Sequence, residues 1–223
     1  MTTVINWPLI DTVLLDMDGT LLDLYFDNHF WLQHLPRRYA QHHDMDLEQA
    51  RQYLTRRFND ERGTLNWYCL DYWSDQLDLD IVLLKEEVAH LVAFHPHVIT
   101  FLDALRASQR RAVLVTNAHY KSLQLKLKHT DLDGHLDAVI CAHDLGLPKE
   151  EPAFWPALQQ HETYNPERTL LIDDNLDVLR AAHRGGIGHL LAMARPDSRK
   201  PLQATAEFMA VEHFSSIMPP AER

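Results

Sequence analysis

Cysteine is scarce: the 223-residue chain holds two, Cys69 and Cys141, far apart and without the spacing of a metal-ligand motif. That excludes a disulfide framework and predicts free, buried thiols in a reducing compartment. Basic charge is short as well, with 21 Lys plus Arg against 32 Asp plus Glu and a net charge of −11. Such a chain repels nucleic-acid backbones and anionic membranes, so neither is an expected partner, and any phosphate ligand must be held by local groups. No run of about 18 apolar residues occurs, which removes a helical membrane span. Met1 to Pro8 lack the basic stretch and apolar run of a secretory signal, and the expected location is the cytoplasm. Internal repeats and low-complexity segments are missing too.

What is present fits a globular protein: 46% apolar and 24% charged residues can build a packed core. Short apolar runs at Val13-Leu14-Leu15, Ala112 to Val115 and Leu170-Leu171-Ile172 each end in a polar cluster and precede a segment of helical period. Weaker strands are expected at Ala138 to Cys141 and His189 to Met193. Helices are expected over Val98 to Ala107, Leu123 to Leu127 and Leu176 to His183, where apolar residues recur every three or four positions. Strands alternating with helices predict an α/β fold with a parallel sheet.

The stretch from Asp23 to His95 breaks that rhythm. It shows no strand pattern, is rich in aromatics from Phe26 to Trp73, and spaces Leu47, Ala50, Leu54 and Phe58 as a helix does, after the acidic start at Asp44 and Asp46. This reads as a helical insertion after the first strand, giving a core of residues 1–22 and 96–223 and a helical cap of residues 23–95. From Arg195 onward the chain is polar and proline-rich, as a surface return and partly ordered tail would be.

The strand ends carry the chemistry. Asp16-Met17-Asp18-Gly19-Thr20 follows the first strand; in open parallel sheets that is where ligands bind. Residues two apart in extended chain point the same way, so both carboxylates would converge, which calls for a cation or a shared proton. The second strand ends in Thr116-Asn117 and the last long one in Asp173-Asp174-Asn175, with Lys149 in a loop between them. Carboxylates for a hard cation, a hydroxyl for an oxyanion and a lysine point charge are the parts of metal-assisted phosphoryl transfer.

This ordered set, Asp16-x-Asp18-Gly19-Thr20, Thr116-Asn117, Lys149 and Asp173-Asp174, resembles the four motifs of the haloacid dehalogenase (HAD) superfamily of phosphatases. The helical insertion is similar to that superfamily's α-helical cap, and the resemblance implies a HAD-like Rossmannoid core. The segments Phe26 to Trp31 and Leu65 to Trp73 resemble those of bacterial GMP/IMP 5′-nucleotidases. The resemblance implies Asp16 as nucleophile, forming an aspartyl-phosphate, and Asp18 as acid and then base. It implies Mg2+ held by Asp16, the Asp18 main chain and Asp174, with Asp173 orienting its neighbours. Thr116 and the main chain at Asn117 would hold phosphoryl oxygens, and Lys149 would neutralise charge. A carboxylate at Asp18 disfavours dehalogenase chemistry, since a halide leaving group needs no proton. The implied partner is a small phosphorylated metabolite, a purine nucleoside monophosphate such as IMP or GMP. A sugar-phosphate phosphatase, a mutase and a non-catalytic phosphate-binding regulator are the alternatives.

Other features read as structural. The 15 histidines include His42-His43 and His95-Pro96-His97, which lack companion ligands and are expected at the surface. Gly185-Gly186-x-Gly188 lacks dinucleotide-binding spacing and is expected to turn a helix into the next strand. Most cap aromatics are expected in a core, the rest forming a platform for a flat base. Asn28, His29 and Asn66 are candidate donors to the purine 6-carbonyl.

Overall fold

The computed structural model describes residues 5–221. Six strands lie in one sheet in the order β3-β2-β1-β4-β5-β6, every neighbouring pair parallel: β1 (Thr12–Leu15), β2 (Arg111–Thr116), β3 (Ala138–Cys141), β4 (Thr169–Asp173), β5 (His189–Met193) and β6 (Ala210–Val211). Apolar runs in the central strands β1, β2 and β4 are covered on both faces, as parallel sheets require. Val13 and Leu15 pack with Val98, Phe101, Leu102 and Leu105 on one side. Leu14, Val113 and Leu171 pack with Phe154, Trp155, Val178 and Leu179 on the other. The two-residue period of each strand thus divides its side chains between two half-cores.

Seen along the chain, the helices that follow β1 are α1 (Tyr25–His29), continued through a π-helical turn at Phe30–His34, then α2 (Leu35–His42), α3 (Leu47–Glu61), α4 (Leu65–Tyr68), α5 (Leu70–Leu77) and α6 (Ile81–Glu86). These bury Phe26, Phe30, Leu54, Leu70, Trp73, Leu77 and Ile81 in a cluster of their own. Asp46 starts α3 by accepting a hydrogen bond from the Glu48 N–H at 2.7 Å, the usual way a first turn satisfies its free donors. The chain leaves and re-enters the α/β layer side by side: Leu22 bridges Phe94 antiparallel, and the His95 N–H donates to the Leu21 carbonyl at 2.9 Å.

The remaining helices are α7 (Val98–Ala107), α8 (Tyr120–Thr130), α9 (Ala142–Leu145), α10 (Phe154–His161) and α11 (Leu176–Arg184). The expected glycine turn joins α11 to β5, with Gly186 at φ +90° and Gly185 so close to Trp155 that a Cβ would stand 2.6 Å from it. Among the described residues no helix is long and apolar enough to cross a membrane.

Three expectations need correction. The segment after Arg195 runs mostly exposed and irregular over 198–209, as a surface return does, but the stretch after it is not a partly ordered tail. Val211 extends the sheet in β6, while Phe214 and Ile217 are buried, Phe214 lying 4.8 Å from Phe101 between ring centroids. Two residues of strand and single buried side chains leave too little periodicity to read. His42, His43 and His97 are exposed as expected, but His95 is buried beside the two crossing threads, its Nε2 3.0 Å from the Pro196 carbonyl. Both cysteines are free, yet only Cys141 is buried; Cys69 is half-exposed.

Candidate active site

β1 is paired with β2 on one side and β4 on the other, Leu15 aligning with both Leu114 and Ile172. This is the point where strand order reverses, and it aligns three carboxyl ends at one edge. Asp16 follows β1, and its N–H still donates to the Ile172 carbonyl at 3.0 Å, so sheet pairing fixes the carboxylate's position. Lys149 Nζ crosses this edge to Asp16 Oδ1 at 2.6 Å, Asp173 Oδ2 at 2.7 Å and the Val115 carbonyl at 3.0 Å. Burial alone would push the Lys149 ammonium down, but Asp16 and Asp173 overturn that and hold it well above its usual value.

Three carboxylates, Asp16, Asp173 and Asp174, share one lysine here, which leaves excess negative charge in the cluster. Burial lifts the Asp16 carboxyl to about 6, against the pull of Lys149 and with a further push from Asp173. Burial raises Asp174 well above the carboxylate range, helped by the charges of Asp16 and Asp173. Asp16 Oδ2 is sealed from solvent with no hydrogen-bond partner among the described residues. Ligand oxygens of Asp16, Asp173 and Asp174 all lie within 4.8 Å of one another. Both Asp173 oxygens are occupied, Oδ2 by Lys149 and Oδ1 by the Asn175 N–H at 2.9 Å. That leaves Asp16 Oδ2 and Asp174 open to a hard, oxygen-seeking cation, and the donor set fits one. Gly19 keeps the approach clear: it sits at φ +92°, and a Cβ there would stand 2.7 Å from Asp174 Oδ2.

Asp18 stands apart from that cluster, its Oδ1 2.6 Å from Lys126 Nζ. Burial lifts its carboxyl to about 6, with Lys126 opposing and Asp27 and Asp16 adding to the rise. Thr116 Oγ1 accepts from the Ala118 N–H at 3.0 Å. The Asn117 side chain pins the lysine loop, Oδ1 accepting from the Lys149 N–H at 2.9 Å and Nδ2 donating to Glu150 Oε2 at 2.8 Å. All of the expected residues, Asp16, Asp18, Thr116, Asn117, Lys149, Asp173 and Asp174, therefore line one cavity of about 570 Å³.

The helical layer roofs this cavity with Trp31, Phe58, Arg62, Trp67 and Tyr68. Phe58 meets Trp31 and Trp73 edge-on, at 5.5 Å and 5.0 Å between centroids, an arrangement aromatic pairs favour. Of the expected base donors only Asn28 reaches the cavity, and its Nδ2 donates to Asp197 Oδ2 at 2.7 Å. Asn66 is exposed and donates to Glu61, and His29 lies beside Tyr25; neither lines the cavity.

A family model for haloacid dehalogenase-like hydrolases matches residues 10–186. The chain belongs to that family. The GMP/IMP nucleotidase YrfG of Escherichia coli K12 and that of Shigella flexneri are each 45% identical to it over 194 residues, covering 87% of either chain. Among solved structures, a HAD phosphatase from Thermococcus onnurineus superposes with a TM-score of 0.75 at 22% identity, covering 92% of this chain and 95% of its own. The L-2-haloacid dehalogenase of Xanthobacter autotrophicus gives 0.61 at 16%, covering 92% and 96%. These last two likenesses speak for the HAD fold alone. The sequence similarity to the nucleotidases identifies this HAD protein as an enzyme, a hydrolase.

Several residues at the site escape a motif reading. Lys126 and Lys85 are both buried and both bind Asp27, each at 2.6 Å, so two cations and the Asp18 and Asp27 carboxylates form a neutral quartet. Lys85 also lies over the faces of Phe26 and Phe30, at 4.9 Å and 4.7 Å. A detectable signal existed: Lys126 follows Leu123 by three positions and so falls on the core face of α8. Glu150 gathers Asn117, Asn175 and Tyr68, whose hydroxyl donates to it at 2.6 Å across the gap between the two layers. Nothing in its Pro-Lys-Glu-Glu-Pro setting separates it from Glu151.

Proposed function

We propose that the enzyme is a magnesium-dependent phosphatase that hydrolyses purine nucleoside 5′-monophosphates, IMP and GMP, through an aspartyl-phosphate. The observation that carries this reading is a cavity with a sealed, unpartnered carboxylate oxygen at its floor and aromatic rings with an arginine in its roof. The 45% identity to GMP/IMP nucleotidases supports it. The Asp16 carboxylate attacks phosphorus, and Lys149 neutralises charge on it. Asp18, whose raised pKa keeps it protonated nearer neutrality than an ordinary carboxyl, gives its proton to the leaving 5′-oxygen. It then takes a proton from the water that cleaves the acyl phosphate, releasing inorganic phosphate and restoring Asp16. Asp16, the Asp18 main chain and Asp174 would hold magnesium, which would supply neutralisation of the phosphoryl oxygens. Thr116 and the main chain at Asn117 complete the phosphate cradle.

Selectivity falls to residues 23–95, which act as a cap over the core of 1–22 and 96–223 and close to exclude water. Trp31, Phe58 and Trp67 give a purine faces and edges to pack on, and Arg62 offers paired donors. An arginine satisfies a carbonyl at position 6 with N7 beside it, as in IMP and GMP, and meets an amino group in AMP. A panel of phosphomonoesters assayed with magnesium for released phosphate tests the reading. IMP and GMP should have the highest kcat/KM, then AMP, then pyrimidine monophosphates. Sugar phosphates turned over as well as IMP would replace the nucleotide reading with the broader phosphatase one, and return of the phosphoryl group to substrate would mark a mutase.

A further inference from the structure

Beside the active-site cavity, and lining no part of it, three side chains from three elements meet. Cys69 caps the start of α5 in the helical layer, His119 precedes α8 and His143 lies in α9. One ligand atom from each lies within 4.8 Å of the other two. His119 is 4% exposed, and its Nδ1 has no hydrogen-bond partner; His143 Nε2 is likewise sealed and unpartnered. Buried imidazole nitrogens are seldom left so. The rings stand edge to face at 5.0 Å, and burial pushes both imidazoles toward the neutral form that binds metals. Asp71, whose other oxygen takes Lys121, places Oδ2 3.8 Å from His119 Nε2, beyond hydrogen-bond reach.

We propose that Cys69, His119 and His143 form a second metal site, selective for a borderline-soft cation of the zinc class, that ties the helical layer to the sheet. A thiol and two imidazoles with one open position match zinc's tetrahedral preference and offer nothing to magnesium, which seeks oxygen. Coordination needs the ligand atoms to draw in to roughly 3.5 Å from one another, a side-chain adjustment, and the Cys69 proton leaves to solvent as the metal–sulfur bond forms. Cys141 is not a rival ligand, since its thiol donates to the Ala118 carbonyl at 3.1 Å. Because Cys69 comes from one layer and both histidines from the other, the bound ion braces α4 and α5 over the cavity mouth.

The test is titration of the whole protein with Co2+, and then Zn2+ in competition, in excess magnesium so that the carboxylate site is filled. One equivalent should bind with the thiolate-to-cobalt charge-transfer band and the visible absorption of a tetrahedral centre, displaced by zinc. Cys69→Ser should abolish the band, and His143→Gln should weaken affinity at least about tenfold; both should keep the wild-type melting temperature in magnesium alone. Zinc should raise the melting temperature of wild type and not of Cys69→Ser. Absence of a thiolate band, its survival in Cys69→Ser, or an unchanged affinity in His143→Gln would overturn the proposal.

Discussion

Lys126 Nζ lies 2.6 Å from Asp18 Oδ1 and 2.6 Å from Asp27 Oδ2, joining a strand-end carboxylate to the first helix of the helical layer. The lysine is 1% exposed on its side chain, so its charge is balanced only by these neighbours. Asp18 in turn owes its ionisation to Lys126 more than to any other favourable contact. The position of the layer and the protonation of the proposed acid are thereby linked.

Lys126→Met keeps the volume and removes the charge. It should cost about 3–5 kcal/mol of stability, because Asp18 and Asp27 are left buried without it. Its effect on the pH profile is the sharper readout: the Asp18 carboxyl rises further, so the limb on which activity falls as the acid ionises should move to higher pH. Thermal melts and kcat/KM against pH check both; an unmoved limb would separate Lys126 from the acid.

Removal of magnesium should make stability depend on pH in an unusual direction. Asp16 and Asp18 sit near 6 in the folded chain against an ordinary 3.8, and Asp174 is raised as well. The folded state therefore takes up protons before the unfolded one does, and the chelated protein should gain stability as pH falls from about 6 toward 4 from these groups. Magnesium takes the place of those protons, so its stabilising effect should shrink over the same window. Melting temperatures with and without chelator give the comparison; Asp174→Asn should lose the magnesium-dependent rise and, without magnesium, melt above chelated wild type at neutral pH, since one repelling charge is gone.

Arg62→Ala should narrow the preference for IMP over AMP. Loss of a paired arginine contact to a purine edge is worth about 1–3 kcal/mol, roughly 5- to 150-fold in kcat/KM. The arginine is exposed at the cavity mouth, so stability should be unchanged. A preserved IMP-to-AMP ratio in the variant would assign base reading elsewhere in the roof.

Much of this architecture was legible in the residues. β3 and β5 fall at Ala138–Cys141 and His189–Met193, where short apolar runs mark them, although the first three residues of β3, at the sheet edge, are only partly buried. Asp16, Lys149 and Asp173 were legible since strand ends and their order place them together. The quartet around Lys126 was not: the helical period places Lys126 on the core face of α8, but its partners Asp18, Asp27 and Lys85 come from other elements and meet it only in the folded chain. Nor was the meeting of Cys69 with His119 and His143: spacing rules find ligands on one element, and these come from three. The same holds for Arg62, whose role depends on where the end of α3 falls over the cavity.

Asp16→Asn should fold, with Lys149 still held by Asp173 and Val115, and lose turnover by several orders of magnitude. The most direct test is chemical trapping of the intermediate. Wild-type enzyme is mixed with IMP and magnesium, quenched within one turnover and reduced with borohydride, which converts an acyl phosphate to homoserine. Peptide mass spectrometry should find homoserine at position 16, dependent on IMP and on magnesium. Phosphate release in the same turnover with position 16 unmodified, or with the modification at another carboxylate, would contradict the account.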